Sequence, residues 1–274
     1  SAQAGRWFPG ILAGETVAAL AVDEGRSHDP AGTAMRAERS GNGFSLTGRK
    51  QFVVHGFSAD LILISARTAG APGERDGITL FAVERGAAGV EVENVVLADS
   101  SHAARLMLDK VAVDGDAVIG EVDGGWAPLN RALHAGRAGA AAELVGVASG
   151  ASAMTVDYLK QRKQFGRIIG EFQALQHRAA HLYSEIEIAR AAAMKAAELI
   201  DRQDERAELM VAVAKAKAGR TAKLAVQEGV QMHGGIGTTD EHDIGLYLKR
   251  EAGLHELFGS PRFHAARVAE ISGY

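Results

Sequence analysis

Two periodicities divide the chain. From about residue 11 to residue 118, apolar residues come in short runs of β-branched and aromatic character: residues 16–22 (TVAALAV), 43–46 (GFSL), 50–54 (KQFVV), 61–66 (LILISA), 78–83 (ITLFAV) and 106–113 (LMLDKVAV). Runs of this length and makeup predict strands. Gly41-Asn42-Gly43, Ala71-Pro72-Gly73 and Asp114-Gly115-Asp116 supply turn chemistry between or after them. The spacing predicts an antiparallel barrel or sandwich and not a βαβ array. After Gly124-Gly125 the pattern changes to alanine-rich segments of helical period, over residues 126–163, 171–202, 205–232 and a shorter 242–258. In the third, Leu209, Val213, Ala216, Leu224 and Val230 fall near one stripe, as a core-facing helix requires. Long helices joined by short connections predict an antiparallel four-helix bundle. The fold class expected is therefore α+β, with a β-domain over 1–122, a helical domain over 123–274, and a hinge at 120–125.

Composition narrows the partners. The 274 residues are 47% hydrophobic and 23% charged, with a formal net charge of −4. That balance offers neither a basic footprint for nucleic acid nor a Lys/Arg-rich run for an acidic membrane. A small molecule or another protein is expected instead. The absence of cysteine excludes disulfides, thiolate-zinc sites and a cysteine nucleophile, and no metal site is expected. No apolar run is read as approaching the roughly 20 residues that span a bilayer, and the first residues lack a signal-peptide pattern. A cytoplasmic location is expected. The chain begins at Ser1, as a processed product or a fragment would.

The helical half carries the chemistry. Arg137 and Tyr158 are followed by Arg162-Lys163-Gln164-Phe165-Gly166 and then Phe172-Gln173, and farther on by Gln231-Met232-His233-Gly234-Gly235-Ile236-Gly237. Upstream stand Leu20-Ala21-Val22-Asp23-Glu24-Gly25 and Gly48-Arg49-Lys50-Gln51-Phe52-Val53-Val54. In combination and order these segments resemble the acyl-CoA dehydrogenase family, with its "R-x-Q-F-G … F-Q", "Q-x-H-G-G-x-G", "A-x-T-E-P" and "G-x-K-x-W/F-I-T" segments. The resemblance covers nearly the whole chain. It also implies an N-terminal helical domain of roughly a hundred or more residues, and Trp7-Phe8-Pro9 resembles the end of one.

The resemblance implies FAD as cofactor. Arg162, Gln164, Phe165 and Gln173 would approach the FAD of a neighbouring subunit. A fixed guanidinium suits a pyrophosphate through charge-assisted hydrogen bonds; standing alone beside Lys160 and Lys163, it would read as a solvated arginine. Gln231, Gly234 and Gly235 would also contact the flavin nucleotide. The glycines can cap a helix and, lacking Cβ, admit a diphosphate close to the backbone. Phe52 falls where the family places an aromatic over the flavin ring, although ordinary strand core accounts for it too. Val54 stands where a threonine often donates to the ring, so only its backbone can do so. Asp23 replaces a threonine and adds a negative charge that would disfavour the anionic reduced flavin unless it is turned away or protonated.

The family's reaction takes a proton from the acyl α-carbon while the β-hydrogen leaves as hydride, giving a trans-2-enoyl thioester. A weakly acidic α-proton demands a positioned carboxylate. The two positions where the family carries that glutamate correspond here to Gly259 and to Gly136, which precedes Arg137. Glu143, seven residues from Gly136, would lie about 10 Å along a helix axis. Glu256 lies about one helical turn from Gly259 and is the only nearby carboxylate candidate, though a solvated glutamate on the last helix accounts for it better. His28, His233 and His255 are further candidates, read otherwise as surface or capping residues. Arg137 is a candidate substrate contact.

The ending Leu254-His255-Glu256-Leu257-Phe258-Gly259 is similar to a bacterial subgroup whose members often occur as unlike-subunit pairs. The resemblance thus implies an acyl-CoA thioester as substrate, an electron-transfer flavoprotein or similar acceptor, and a homo-oligomer or heteromeric pair in which a related subunit supplies the base. A flavin-dependent monooxygenase on the same scaffold needs no α-proton base and is one alternative. A noncatalytic structural subunit is another.

Overall fold

In the computed structural model, which describes residues 2–274, the strand-forming half becomes a single eight-stranded sheet preceded by helix α1 (Ala2–Ala13). Its strands are β1 (Ala18–Ala21), β2 (Arg36–Ser40), β3 (Gly43–Val54), β4 (Leu61–Arg67), β5 (Ile78–Glu84), β6 (Val90–Val96), β7 (His102–Val113) and β8 (Val118–Ile119). They run in the order β6-β7-β3-β2-β4-β5-β8, with β1 paired to β4 off this path. The sheet is mostly antiparallel, but β1 and β2 each pair β4 in parallel. The ends β6 and β8 are not joined, so the expected barrel is corrected to an open sheet. Leu46, Ile62, Ile64, Phe81, Leu106 and Leu108 form its core, and Phe44 meets Phe81 edge-on at 5.2 Å.

Four elements here escaped the apolar-run reading, one of them the two-residue β8. β2 (RAERS) buries only Ala37, and β6 (VEVENVV) alternates valine with acid, so neither offers an apolar run. α1 contains Pro9, a residue that argues against a helix interior. β3 merges two expected strands across Thr47-Gly48-Arg49 by means of irregularities between Leu46 and Gly48 and between Lys50 and Val53. Gly48 is required at the first, because a Cβ there would lie 2.9 Å from Met35 Cα. Residues 120–125 are fastened to β5: Gly125 N–H donates to Ile78 O (2.7 Å) and Asp123 N–H to Thr79 Oγ1 (2.8 Å).

A second compact unit runs Leu133–Tyr274, the boundary falling inside α2 (Trp126–Gln161). After a hairpin of β9 (Lys163–Gln164) and β10 (Arg167–Ile168) come α3 (Gln173–Asp201), α4 (Ala207–His233), α5 (Ile244–Glu256) and α6 (Pro261–Ile271). The four expected helices become five. The additional α6 is announced by its own start signal: Ser260 Oγ accepts from Phe263 N–H, and Pro261 occupies the first turn.

Alanine dominates the helical core. Ala141, Ala148 and Ala151 of α2, Ala189, Ala193 and Ala196 of α3, and Ala214, Ala218, Ala222 and Ala225 of α4 pack with Leu144, Leu182, Ile186 and Val226. The stripe predicted for α4 is accordingly offset. Of its members only Ala216 is buried, and the inward face carries Val211, Ala214, Ala218 and Ala225 instead. α2 also corrects the expectation that no apolar run approaches spanning length, since it holds an 18-residue window of mean hydropathy 1.2 and is by length and composition apolar enough to cross a bilayer. Leu144, Val145, Ala148 and Ala151 of this helix belong to the unit's own core.

Candidate functional site

In the second unit the two motif segments meet at one place. α2 ends in Tyr158-Leu159-Lys160-Gln161, and Arg162 N–H donates to Tyr158 O (2.9 Å) to open the hairpin. α4 ends at His233, where Gly234 turns the chain at φ +67 into a 3-10 segment Gly234–Thr238. The Tyr158 ring lies 4.5 Å from the His233 ring, which lies 4.2 Å from His242. This three-ring stack places the Arg162 segment beside the Gly234 segment, although the two are far apart in sequence. His233 donates from Nδ1 to Gly229 O (2.7 Å), and its buried Nε2 has no hydrogen-bond partner. Desolvation by burial lowers its pKa. A neutral imidazole fits this apolar stack, and a structural role accounts for His233 better than that of a base.

What projects from this place is open. Phe165, at φ +54, is 89% exposed and meets Phe172 edge-on at 6.2 Å. An aromatic held in a left-handed conformation and turned to solvent is costly without an external contact. Arg162, Gln164 and Gln173 are exposed, and Arg162 makes no ion pair among the described residues. Arg167 stacks over Phe172 at 4.6 Å and holds the hairpin's base. A Cβ on Gly234 or Gly235 would meet nothing within 4 Å. Gly234 is required by its positive φ, but nothing local requires glycine at 235. Exposed guanidinium, side-chain amides, an aromatic and unobstructed backbone suit a phosphate-bearing aromatic nucleotide, so the residues present fit FAD.

In the first unit, Phe52 and Asp23 share a local frame. Phe52 sits at φ +53 within the second β3 irregularity and is 46% exposed. Asp23 is neighbour to it through the backbone, since Gln51 N–H donates to Asp23 O (2.7 Å). Its carboxylate is engaged by His28 Nδ1 (2.9 Å) and by Asp29 N–H (3.2 Å). Val54 pairs with Ala103 of β7. His28 is thus the partner of Asp23.

The positions that lack a carboxylate are closed. Gly136 lies under the Phe258 ring, 2.9 Å from where its Cβ would be. Gly259, at φ +107, would place a Cβ 2.6 Å from Phe263 Cδ1 and 2.9 Å from His264 Nε2. The turn between α5 and α6 is tied down by basic side chains: buried His264 donates from Nε2 to Phe258 O (3.0 Å), Arg137 from Nε to the same oxygen (3.3 Å). Lys215 Nζ donates to Leu254 O (2.9 Å), His255 O (3.2 Å) and Gly259 O (3.1 Å). Lys215 is completely buried, which lowers its pKa to about 8. Arg137 also stacks over Phe263 at 5.6 Å. Of the other candidates, Glu143 is held by Arg250 Nε (2.7 Å), His255 by Glu251 (2.7 Å), and Glu256 is exposed at the end of α5.

The sequence reading did not single out Lys215. The signal was present, for it lies four residues after buried Val211 and three before buried Ala218, on the apolar stripe of α4.

An open, mostly antiparallel sheet followed in the chain by an alanine-cored helical unit defines the class. The chain belongs to the acyl-CoA dehydrogenase family: residues 18–111 match its middle domain and residues 123–271 its C-terminal domain. It is 30% identical over 230 residues to the short/branched chain specific acyl-CoA dehydrogenase of Rattus norvegicus mitochondria, covering 83% of this chain and 53% of that protein. The chain thus spans about half the length of this curated relative. Among solved structures, acyl-CoA dehydrogenase from Geobacillus kaustophilus superposes with a TM-score of 0.93 at 26% identity, covering all of this chain and 73% of that one. The ChsE4-ChsE5 complex from Mycobacterium tuberculosis matches with a TM-score of 0.87 at 25% identity, covering 97% of this chain and 69% of that one.

Proposed function

We propose that this chain is the FAD-holding part of an acyl-CoA dehydrogenase subunit, working in the cytoplasm with a related subunit that supplies the catalytic carboxylate. The functional division proposed is a β-domain over 1–122 and a helical domain over 123–274. The observation that carries the reading is the meeting of the Arg162–Phe165 and Gln231–Gly235 segments through the Tyr158–His233 stack. Arg162, Gln164, Phe165 and Gln173 hold the nucleotide of a neighbouring subunit, while Gln231 and the open backbone at Gly234 and Gly235 accept one closely. Phe52 flanks the ring system, and Val54 contributes only backbone. Because His28 and the Asp29 amide engage Asp23, its charge is compensated locally.

When bound, FAD supplies the acceptor for the substrate's β-hydride, and an electron-transfer flavoprotein or similar carrier takes the electrons onward. An acyl-CoA thioester then becomes its trans-2-enoyl product once a carboxylate removes the α-proton. Gly136 and Gly259 provide none, and Glu256, exposed at a helix end, is the weaker source. The base therefore comes from the partner in a heteromeric oligomer, with Arg137 near the substrate.

The deciding measurement is the visible flavin spectrum together with turnover of an acyl-CoA panel, using the full-length protein alone and with its candidate partner. Bound flavin with turnover only in the pair is expected. Turnover by the protein alone would remove the partner requirement. Bound flavin without turnover in either case favours a structural subunit, which the closed surroundings of Gly136 and Gly259 also suit.

Gly235 separates local from ligand effects. Gly235→Ala introduces a Cβ that meets nothing, so unfolding free energy should change by less than about 0.5 kcal/mol. FAD affinity measured by fluorescence titration is expected to fall about tenfold or more, equivalent to about 1.4 kcal/mol. Unchanged affinity would remove Gly235 from the nucleotide contact.

A further inference from the structure

Lys50 is among the largest completely buried side chains of the described residues, and it lies two residues from the strained Phe52. Its Nζ donates to Val22 O (2.9 Å), Glu24 Oε1 (2.8 Å) and Ser65 Oγ (3.0 Å), so all three protons have acceptors. Glu24 in turn accepts from the backbone N–H groups of Ala34 (2.9 Å) and Met35 (3.0 Å). Gln51 continues the seam: its N–H reaches Asp23 O (2.7 Å) and its Nε2 reaches Glu24 O (3.1 Å). Residues 22–24 are therefore stitched to residues 50–51 by side chains and backbone together. Immediately after this seam β3 loses register with β7, and Phe52 adopts φ +53 with its ring turned outward.

A buried ion pair seldom improves stability over an apolar pair of equal volume, because desolvation offsets its Coulombic gain. Its best-attested use is to fix one arrangement among several. Here a bulky residue is held where φ is unfavourable, and such strain persists only when the surroundings over-determine it. Without the seam, β3 has an evident alternative, which is to continue its ladder past Lys50 and draw Phe52 into the pleat.

We propose that Lys50 and Glu24 are positioning residues that hold Phe52 out of the strand, so that the aromatic face it presents to the flavin exists only while this ion pair of a buried lysine and a partly buried glutamate is intact. The inference rests on the proposed role of Phe52 as the ring that flanks FAD. It adds that the pair acts on the flavin through Phe52 and not through general stability.

The test uses Phe52→Trp as a reporter in the full-length protein, with and without Lys50→Met. Acrylamide quenching of the introduced tryptophan, corrected for Trp7 and Trp126 by the same measurement on the parent protein, is read before any FAD is added. Quenching is expected to fall about twofold or more with Lys50→Met, as the ring is drawn in. Identical quenching and emission in the two backgrounds would overturn the proposal whether or not flavin binds. FAD titration then supplies a second reading. Lys50→Met should weaken FAD about tenfold when Phe52 is present, and less than about twofold in Phe52→Ala, the non-additivity expected of coupled residues. Equal losses in both backgrounds would reduce the pair to a stability element and overturn its positioning role. Should no variant bind FAD, the proposed function fails, while the quenching comparison still decides the role of the pair.

Discussion

Gly259→Glu is expected to destabilise the protein by about 3–5 kcal/mol and to restore no turnover. Two effects add. A residue bearing Cβ at φ +107 pays strain of about 1–3 kcal/mol, and the new atom lies 2.6 Å from Phe263 Cδ1 and 2.9 Å from His264 Nε2. Overpacking of this kind costs a further ~1–3 kcal/mol. His264 cannot move cheaply, since it is completely buried and donates to the Phe258 carbonyl. Differential scanning calorimetry should show the transition lowered by about 10 °C, and the acyl-CoA panel should show no gain. A stable variant with new turnover would mean that the turn relaxes and that the missing carboxylate alone separates this chain from a self-sufficient enzyme. Gly136→Glu should be milder, because the opposing atoms belong to the Phe258 ring, a side chain that can turn aside.

Lys215→Met should cost about 3–5 kcal/mol at neutral pH. The substitution keeps most of the side chain's length and removes the donors to three carbonyls, of Leu254, His255 and Gly259, that close the end of α5. An unsatisfied buried polar group costs about 1–3 kcal/mol. The pH dependence distinguishes this from ordinary packing loss. Burial lowers the folded-state pKa of Lys215 to about 8, against about 10.4 in an unfolded chain. Between these values the unfolded state binds the proton and the folded state does not, so stability from this group rises as pH increases from about 8 to about 10.4 and is flat below. The full span corresponds to ~3 kcal/mol. Denaturant unfolding at pH 7 and pH 10 should therefore show wild type gaining on Lys215→Met by up to that amount. Equal pH profiles would mean that the folded and unfolded lysines titrate alike.

The architecture was legible where composition and period agreed. Apolar runs built on leucine and isoleucine located β4 and β5, and the alanine-rich helical period located α2, α3 and α4. β2 and β6 were hidden because their outward positions are charged and their strands are held by backbone pairing with β3 and β7. α6 was passed over although Ser260-Pro261 announced it. The Arg162 and Gly234 segments were readable as motifs. Their convergence was not, because it depends on Tyr158 meeting His233 across two helices. The absence of a carboxylate at 136 and 259 was plain in the sequence. That both positions are also sterically closed followed only from the packing of Phe258, Phe263 and His264.

The alanine-built core of the helical unit inverts the usual map of fragile positions. In a leucine-filled interior the damaging substitutions remove volume, whereas Ala148, Ala189, Ala214, Ala218, Ala222 and Ala225 have almost none to lose. With such small residues at the contacts, the helix axes can approach toward the short end of the ordinary 8–10 Å range. Genetic drift at these sites is therefore confined to glycine and serine, and each added methylene acts as a wedge between backbones.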